Sequence, residues 1–414
     1  MNEAATLIAA AVGHLNARRF GAAVESYLAA LRQDPREEQT WLGLALALAL
    51  DGRLGDVVGL AGERERQRGD GFLFCHAALG AMVSYRLYDH VRALDRALPA
   101  ASPFAPVAAY NAGCAALLQG DEDAAFDCFG RFKQLIAERR DTLPIGPESH
   151  FNVAYRQGSL IEDRDYVAAL GEEPAEPIAI EWPSPPAGEG GTIIAAACDG
   201  NYFRLFAPGF VRSLGRVMPA AIGHIHVIAP ESDLAGQVAQ LAAMAPGLAL
   251  NISTEPAGPY RSGAYYASNR FLVAPALIER YRRPIVLTDI DVEFTAPLDD
   301  LLAAVASYDF AGFRHDGAGP ASRYPAVLTR WTPAERSRVL LDRLNRFIRS
   351  KLDIPWPFNW MLDQAALVSV LRWARLDRPE IALGIVNDLL GRHFQPWLRP
   401  VGGEEKAALI RAGG

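Results

Sequence analysis

"PIVLTDIDVEF" (284–294) joins a short apolar run ending at Leu287 to two aspartates, Asp289 and Asp291, one residue apart. A brief β-branched run bounded by polar residues reads as a buried strand. In an extended chain, side chains i and i+2 point to the same side. The two carboxylates therefore converge just past the strand end, where they repel one another unless positive charge lies close by. Hard carboxylate oxygens select Mg²⁺ or Mn²⁺, and such ions complete their shells with water and phosphate oxygens. The same spelling recurs at Asp121/Asp123 and Asp163/Asp165. Those pairs stand beside turns in a helical stretch, where acidic helix starts need no further role.

Working outward, strand-like runs alternate with helix-like ones: "TIIAAA" (192–197), "IGHIHVIA" (222–229), a helix near 233–244, "LALNIS" (248–253) and a helix near 268–281. This alternation predicts an α/β domain over 192–414 with a largely parallel sheet, whose ligands bind beyond the carboxyl ends of the strands. In front of it, "GEEPAEPIAIEWPSPPAGEGG" (171–191) is rich in Pro, Gly and Glu and loses periodicity, so it reads as a linker.

Residues 1–170 are rich in Ala and Leu at helical spacing. In "FGAAVESYLAALRQDP", Ala23, Tyr27, Ala30 and Pro35 fall at the small–aromatic–small–Pro spacing of a tetratricopeptide repeat. One phase, with starts at 4, 38, 72 and 106, also places Trp41, Leu44, Ala45, Ala112, Gly113, Ala125, Phe129 and Phe132; the third unit keeps only Pro103 in step. The segment resembles an array of about four such repeats. Stacked helix pairs of this kind offer a concave groove. A protein or peptide partner is the expected occupant, and homo-oligomerisation through the array is the alternative.

The formal net charge of −7 over 414 residues argues against nucleic acid as a partner. No run reaches the ~20 apolar residues that a membrane helix needs. Cys75, Cys114, Cys128 and Cys198 show neither metal spacing nor a disulfide framework, so reduced thiols and a cytoplasmic location are expected.

"AAACDGNYFRLFAPGFVRSL" (195–214) is a strand ending near Ala197, a turn with Asp199 and Tyr202, and a helix. Together with "SNRFLVAPALI" (268–278), "VLTDIDVEF" (286–294) and "NWMLDQAAL" (359–367), it resembles GT-A fold glycosyltransferases of the glycogenin and lipooligosaccharide galactosyltransferase group. The resemblance spans about 192–400. It implies a Rossmann-like nucleotide-diphospho-sugar domain, a UDP-sugar donor, and Mn²⁺ or Mg²⁺ held by Asp289 and Asp291. Ala197, Asp199, Tyr202, Arg270, Thr288 and Asp289 would then contact the donor: Asp199 and Tyr202 the base, Arg270 the diphosphate. Asp363 and Gln364 would face the sugar as catalytic positions. Ser268 stands where the family has tyrosine, and Thr288 where it has an apolar residue. The family's closing His-x-x-Gly-x-x-Lys-Pro-Trp has only "GRHFQPWLRP" (391–400) as counterpart, with Gln395 replacing the lysine. His393 is the expected third metal ligand, Asn387 and Asp388 are its rivals, and Arg392 is an alternative phosphate contact.

The implied protein is a metal-dependent transferase with an array that recruits a protein acceptor. The alternatives are a scaffold with a decayed donor domain and a transferase acting on glycan or lipid. A nucleotidyltransferase is disfavoured, because no Gly-rich triphosphate loop follows "TIIAAACDG". Three further expectations concern positions around this core. The arginines of 333–351 form a solvated face opposite Leu340, Leu344, Phe347 and Ile348. Trp356, Phe358 and Trp360 of "WPFNW" offer a sugar platform or core packing. "FRHDGAG" (313–319), with Gly317 and Gly319, is a loop near the donor.

Overall fold

The computed structural model describes residues 3–138, 158–171, 178–183, 191–315, 319–320, 323–354 and 359–413. Trp356, Phe358, Gly317 and most of the linker 171–191 lie outside the described residues. The chain divides into two compact units, one of residues 1–159 with 317–320, the other of 160–316 with 321–414.

The first unit is built from helices α1 (Glu3–Asn16), α2 (Phe20–Gln33), α3 (Glu38–Leu50), α4 (Leu54–Arg68), α5 (Gly71–Ser84), α6 (Tyr88–Ala97), α7 (Ala105–Leu118) and α8 (Glu122–Ala137). Successive pairs start at Glu3, Glu38, Gly71 and Ala105, close to the 34-residue phase read from the sequence. Tyr27, Trp41, Leu44, Phe129 and Phe132 are all buried. Small residues are required opposite these rings. A Cβ on Gly43 would stand 2.5 Å from the Tyr27 ring, and one on Gly113 would stand 2.6 Å from Phe129. The acid pairs of this stretch do the local work expected of them. Asp121 caps α8 by accepting from the Ala124 amide at 3.2 Å.

The second unit starts before the compositional linker. Helix α9 (Arg164–Ala169), capped by Asp163, belongs to it. Its seven-stranded sheet has the order β3-β2-β1-β4-β7-β6-β8. Strands β1 (Ile193–Asp199), β2 (Ile222–Ile228), β3 (Ala249–Glu255) and β4 (Ile285–Thr288) pair in parallel. Strand β7 (Leu328–Trp331) runs antiparallel to both β4 and β6 (Phe310–Gly312), and β6 pairs in parallel with β8 (Leu383–Ile385). The sheet is thus mixed, with its parallel half first in sequence. Burial on both faces makes β1 a near-continuous apolar run, whereas β2, equally buried, carries His224 and His226. From β1 the chain builds outward to β2 and β3, then returns to add β4 on the other side. That reversal opens a crevice at the carboxyl ends of β1 and β4.

Three helices border this crevice: α10 (Gly200–Val217), α12 (Gly263–Tyr281) and α15 (Leu362–Asp377); α11 (Leu234–Met244) follows β2. A two-stranded sheet, β5 (Val292–Phe294) with β9 (Leu398–Pro400), brings the C-terminal segment beside Asp291. Short helices α13 (Asp299–Ala304) and α16 (Val386–Leu390) precede it, and α17 (Gly403–Gly413) follows.

Helix α14 (Glu335–Lys351) corrects one expectation. Its apolar face is buried as anticipated, but its arginines are not uniformly solvated. Arg343 is 3% exposed, lies over the Trp373 ring and donates to the carbonyls of Val167 and Ala168. Arg346 donates to Leu170 O. These side chains satisfy the orphan carbonyls at the end of α9, which a sequence pattern cannot foresee. The four cysteines are free, and among the described residues no helix is long and apolar enough to cross a membrane.

Candidate functional site

A cleft of about 360 Å³ occupies the crevice. Asp199 ends β1 and caps α10, accepting from the Tyr202 amide at 2.7 Å, so the same turn brings both residues to the cleft wall. From α12 come Gly263, Tyr266, Ala267 and Arg270. The β4–β5 turn contributes Asp289 and Asp291, and the start of α15 contributes Asp363 and Gln364. Met361, just before α15, adopts the left-handed region at φ 69°. A non-glycine residue held there is strained, and such strain collects at functional sites.

Two cations of the chain answer the repulsion between the aspartates. The Arg270 side chain, 5% exposed, places Nη1 2.7 Å from Asp289 Oδ1 and donates through Nη2 to Asp363 Oδ2 at 2.7 Å. Lys406 of α17 donates to Asp291 Oδ2. It reaches there because β9 pairs with β5 and the Val401 amide donates to Asp291 O at 2.9 Å. The Lys406 ammonium also lies 5.1 Å from the centre of the Tyr202 ring. Burial raises the Asp289 carboxyl above the ordinary carboxylate value; Arg270 pulls it down, and Asp291 and Asp363 push it up again. Burial likewise raises Asp363, against the pull of Arg270. For Lys406, burial disfavours the charge, but the bond to Asp291 more than offsets it and the ammonium is held above its usual value.

The carboxylate pair suits a hard divalent cation by donor chemistry. Both positions already hold positive charge, and Asp289 keeps 33% of its side-chain surface open. Among the described residues no group of three or more His, Cys, Asp or Glu is placed to hold a metal. Two carboxylates would then form only part of a shell, leaving positions for phosphate and water.

No family model matches the chain, and no curated protein sequence does. Solved structures do match. WbbM, a bifunctional glycosyltransferase, is 16% identical, with 45% of this chain and 38% of that one covered and a TM-score of 0.33. The glycosyltransferase GlyE of Streptococcus pneumoniae TIGR4 is 15% identical, with 54% and 50% covered and a TM-score of 0.34. Mouse xyloside xylosyltransferase 1 is 11% identical, with 47% and 85% covered and a TM-score of 0.31. The matched part is no more than half the length of the first two. At these scores the likeness carries no argument.

Of the positions singled out in the sequence, Ala197, Asp199, Tyr202, Arg270, Asp289, Asp291, Asp363 and Gln364 line one cleft. Thr288 does not: it is buried, and its hydroxyl donates to Val327 O at 2.8 Å. His393 does not either. It is exposed, with Nδ1 2.9 Å from Asn387 Nδ2 and its ring against His315. Asn387 also accepts from the Arg314 amide, and Asp388 pairs with Arg314 at 2.8 Å. Arg392 pairs with Asp300 and lies over the Trp397 ring. None of the described residues of 313–319 lines the cleft, whereas Pro325, Ala326 and Val327 do. Trp360, 40% exposed, stands at the cleft with Met361.

Sequence reading missed Lys406 and Tyr266. Lys406 sits in "GGEEKAALI" behind two glutamates, with no spacing rule tying it to Asp291 more than a hundred residues earlier. Tyr266 lies four residues before Arg270 on α12. That spacing shares a helix face and was a usable signal.

Proposed function

We propose that the protein is a metal-dependent glycosyltransferase that takes a nucleotide-diphosphate sugar, of which a UDP-sugar is the first candidate. The observation that supports this best is the meeting of Asp289, Asp291, Arg270, Asp363 and Tyr202 in one cleft at the reversal of strand order. Charge balance gives the reason for a metal. Asp289, Asp291 and Asp363 face Arg270 and Lys406, so the cleft is already negative before a diphosphate arrives. A dianion entering alone would deepen that excess, whereas one arriving with Mn²⁺ or Mg²⁺ leaves it unchanged.

On this reading Asp289 and Asp291 hold the cation, which supplies Lewis acidity to the departing diphosphate. Tyr202 offers its ring to the base, and Asp199 its free oxygen to the base edge. Arg270 fixes Asp289 and Asp363 relative to one another and offers its guanidinium to phosphate. Asp363 and Gln364 face the sugar from the start of α15. The Asp363 carboxylate takes its fixed orientation from Arg270 and from the Gln364 amide at 2.9 Å. The first unit, read as a tetratricopeptide array, recruits a protein or peptide acceptor and so raises its local concentration.

Calorimetric titration with UDP and Mn²⁺, followed by a screen of sugar nucleotides for slow metal-dependent hydrolysis, tests the reading. Asp291→Ala is expected to abolish the melting shift that Mn²⁺ plus UDP gives the wild type. A shift of wild-type size in that variant removes Asp291 from the metal site. A protein that binds UDP but hydrolyses no sugar nucleotide is the scaffold alternative.

A further inference from the structure

We propose that Lys406 is a resident counter-ion that a divalent cation displaces, making α17 a latch over the donor site that metal releases. This rests on the reading of Asp289 and Asp291 as a metal-binding pair.

The ammonium of Lys406 is bound to Oδ2 of Asp291, with the two side chains 31% and 20% exposed. A cation ligated by Asp291 would sit about 2.1 Å from carboxylate oxygen. Two positive centres on one carboxylate repel, and the ammonium already holds Oδ2, so a metal approaching that oxygen competes with Lys406. The same ammonium covers the Tyr202 ring, at 5.1 Å, and lies 5.8 Å from Phe206. One side chain therefore occupies both the metal carboxylate and the face on which a base would stack.

The element that delivers Lys406 is held lightly. In α17 only Lys406 and Ala407 are half-buried among residues 403–411, while Leu409 and Ile410 are 36% and 40% exposed. Besides Lys406 and its packing beside α10, the polar tie of α17 to the domain among the described residues is the exposed pair of Glu405 with Arg399 at 3.0 Å, and such pairs contribute little. The segment just before α17 is firmly anchored by β9 on β5 and by the Val401 amide on Asp291 O. Gly402 stands between anchor and helix and Gly403 opens the helix, both exposed and with open space where a Cβ would be. Two adjacent glycines supply a hinge. A docked helix held chiefly by one displaceable ion pair is a two-state element that a ligand preferring the undocked state shifts.

The test uses the full chain, wild type and Lys406→Met, titrated with Mn²⁺ alone while free Mn²⁺ is read by electron paramagnetic resonance. Met keeps an aliphatic stem against Tyr202 and Phe206 but no charge, and should bind Mn²⁺ at least fivefold more tightly. Lys406→Arg should stay near wild type. In the wild type, saturating Mn²⁺ should speed amide hydrogen exchange across 404–411. In Lys406→Met, exchange there should be fast with or without metal. Equal or weaker Mn²⁺ binding by Lys406→Met overturns the latch while leaving the metal site standing, and so does unchanged or slower exchange of α17 in wild type. If neither protein binds Mn²⁺, the donor-site reading and the latch fall together.

Discussion

Two polar clusters lie in the second unit, and they are built to opposite ends. The first is the cleft, where three aspartates meet Arg270 and Lys406 beside open space. The second is closed and runs across β2 and β3. Tyr281 OH lies 2.8 Å from His224 Nδ1, His224 Nε2 lies 2.9 Å from Ser253 Oγ, and Ser253 Oγ lies 2.8 Å from His226 Nδ1. His226 Nε2 then faces Glu255 at 3.5 Å, a charge contact rather than a good hydrogen bond. Glu255 Oε1 accepts from Tyr265 OH at 2.7 Å and from Asn269 Nδ2 at 3.1 Å. Burial, with His226 and Arg280, pushes His224 down to about 3, so its ring is neutral. A consistent assignment of protons has Tyr281 donating to His224, His224 to Ser253 and Ser253 to His226, with the last N–H pointing at the carboxylate. A closed network of this kind specifies the fold, whereas a network with exposed oxygens and detachable cations keeps capacity for a ligand.

The sharpest way to break the comparison is to remove one carboxylate from each cluster. Glu255→Ala leaves the Tyr265 hydroxyl and the Asn269 amide buried without their acceptor, at about 1–3 kcal/mol each. A loss of about 3 kcal/mol in urea unfolding is expected. Asp291→Ala, which frees only a half-exposed ammonium, should cost less than about 1 kcal/mol in metal-free protein. Equal losses would mean that the cleft is structural as well.

A smaller effect concerns ligand binding alone. Tyr202→Ala should weaken UDP binding about tenfold in the presence of Mn²⁺, because stacking on an aromatic ring is worth about 1–3 kcal/mol. Its melting temperature without ligand should stay close to wild type, since Tyr202 is only partly buried. An unchanged dissociation constant returns Tyr202 to the core around Phe206.

The smallest effect is a pH dependence. Burial holds Asp289 and Asp363 above the ordinary carboxylate value in the fold. Between an unfolded value near 4 and the raised folded value, the folded state binds the extra proton. This stability is present in full below about pH 4 and is lost as pH rises through the folded value. Asp289→Asn removes the titration. The variant should match wild type near pH 3.5 and be at least as stable at pH 7 in metal-free protein, as read from urea midpoints. If wild type gains on the variant as pH rises, the Arg270 pair outweighs burial.

Much of the site was legible because it hangs on strand ends. Asp199, Asp289 and Asp291 follow buried apolar runs, and a run of that kind has a defined end whatever surrounds it. Arg270, Asp363 and Gln364 came from resemblance to known segments, and the cleft gathers all three. The motif that points to His393 has a spacing this chain does not keep, and His393 does not line the cleft. Thr288 precedes the first aspartate but alternates to the opposite face, where its hydroxyl is used up on Val327. Lys406 was out of reach, since a lone lysine behind two glutamates looks like any solvated helix face.

The sequence by itself determined the repeating helix pairs, the strand–helix alternation and the convergence of two carboxylates past Leu287. Each of these follows from local periodicity, which depends only on neighbours in the chain. The tertiary structure decided which cations neutralise those carboxylates, where the C-terminal helix docks, and that Arg343 and Arg346 cap a distant helix end. Those outcomes depend on charge and burial between residues more than ninety positions apart in the chain. Coulomb attraction and desolvation act through space, and no spacing along a sequence records them.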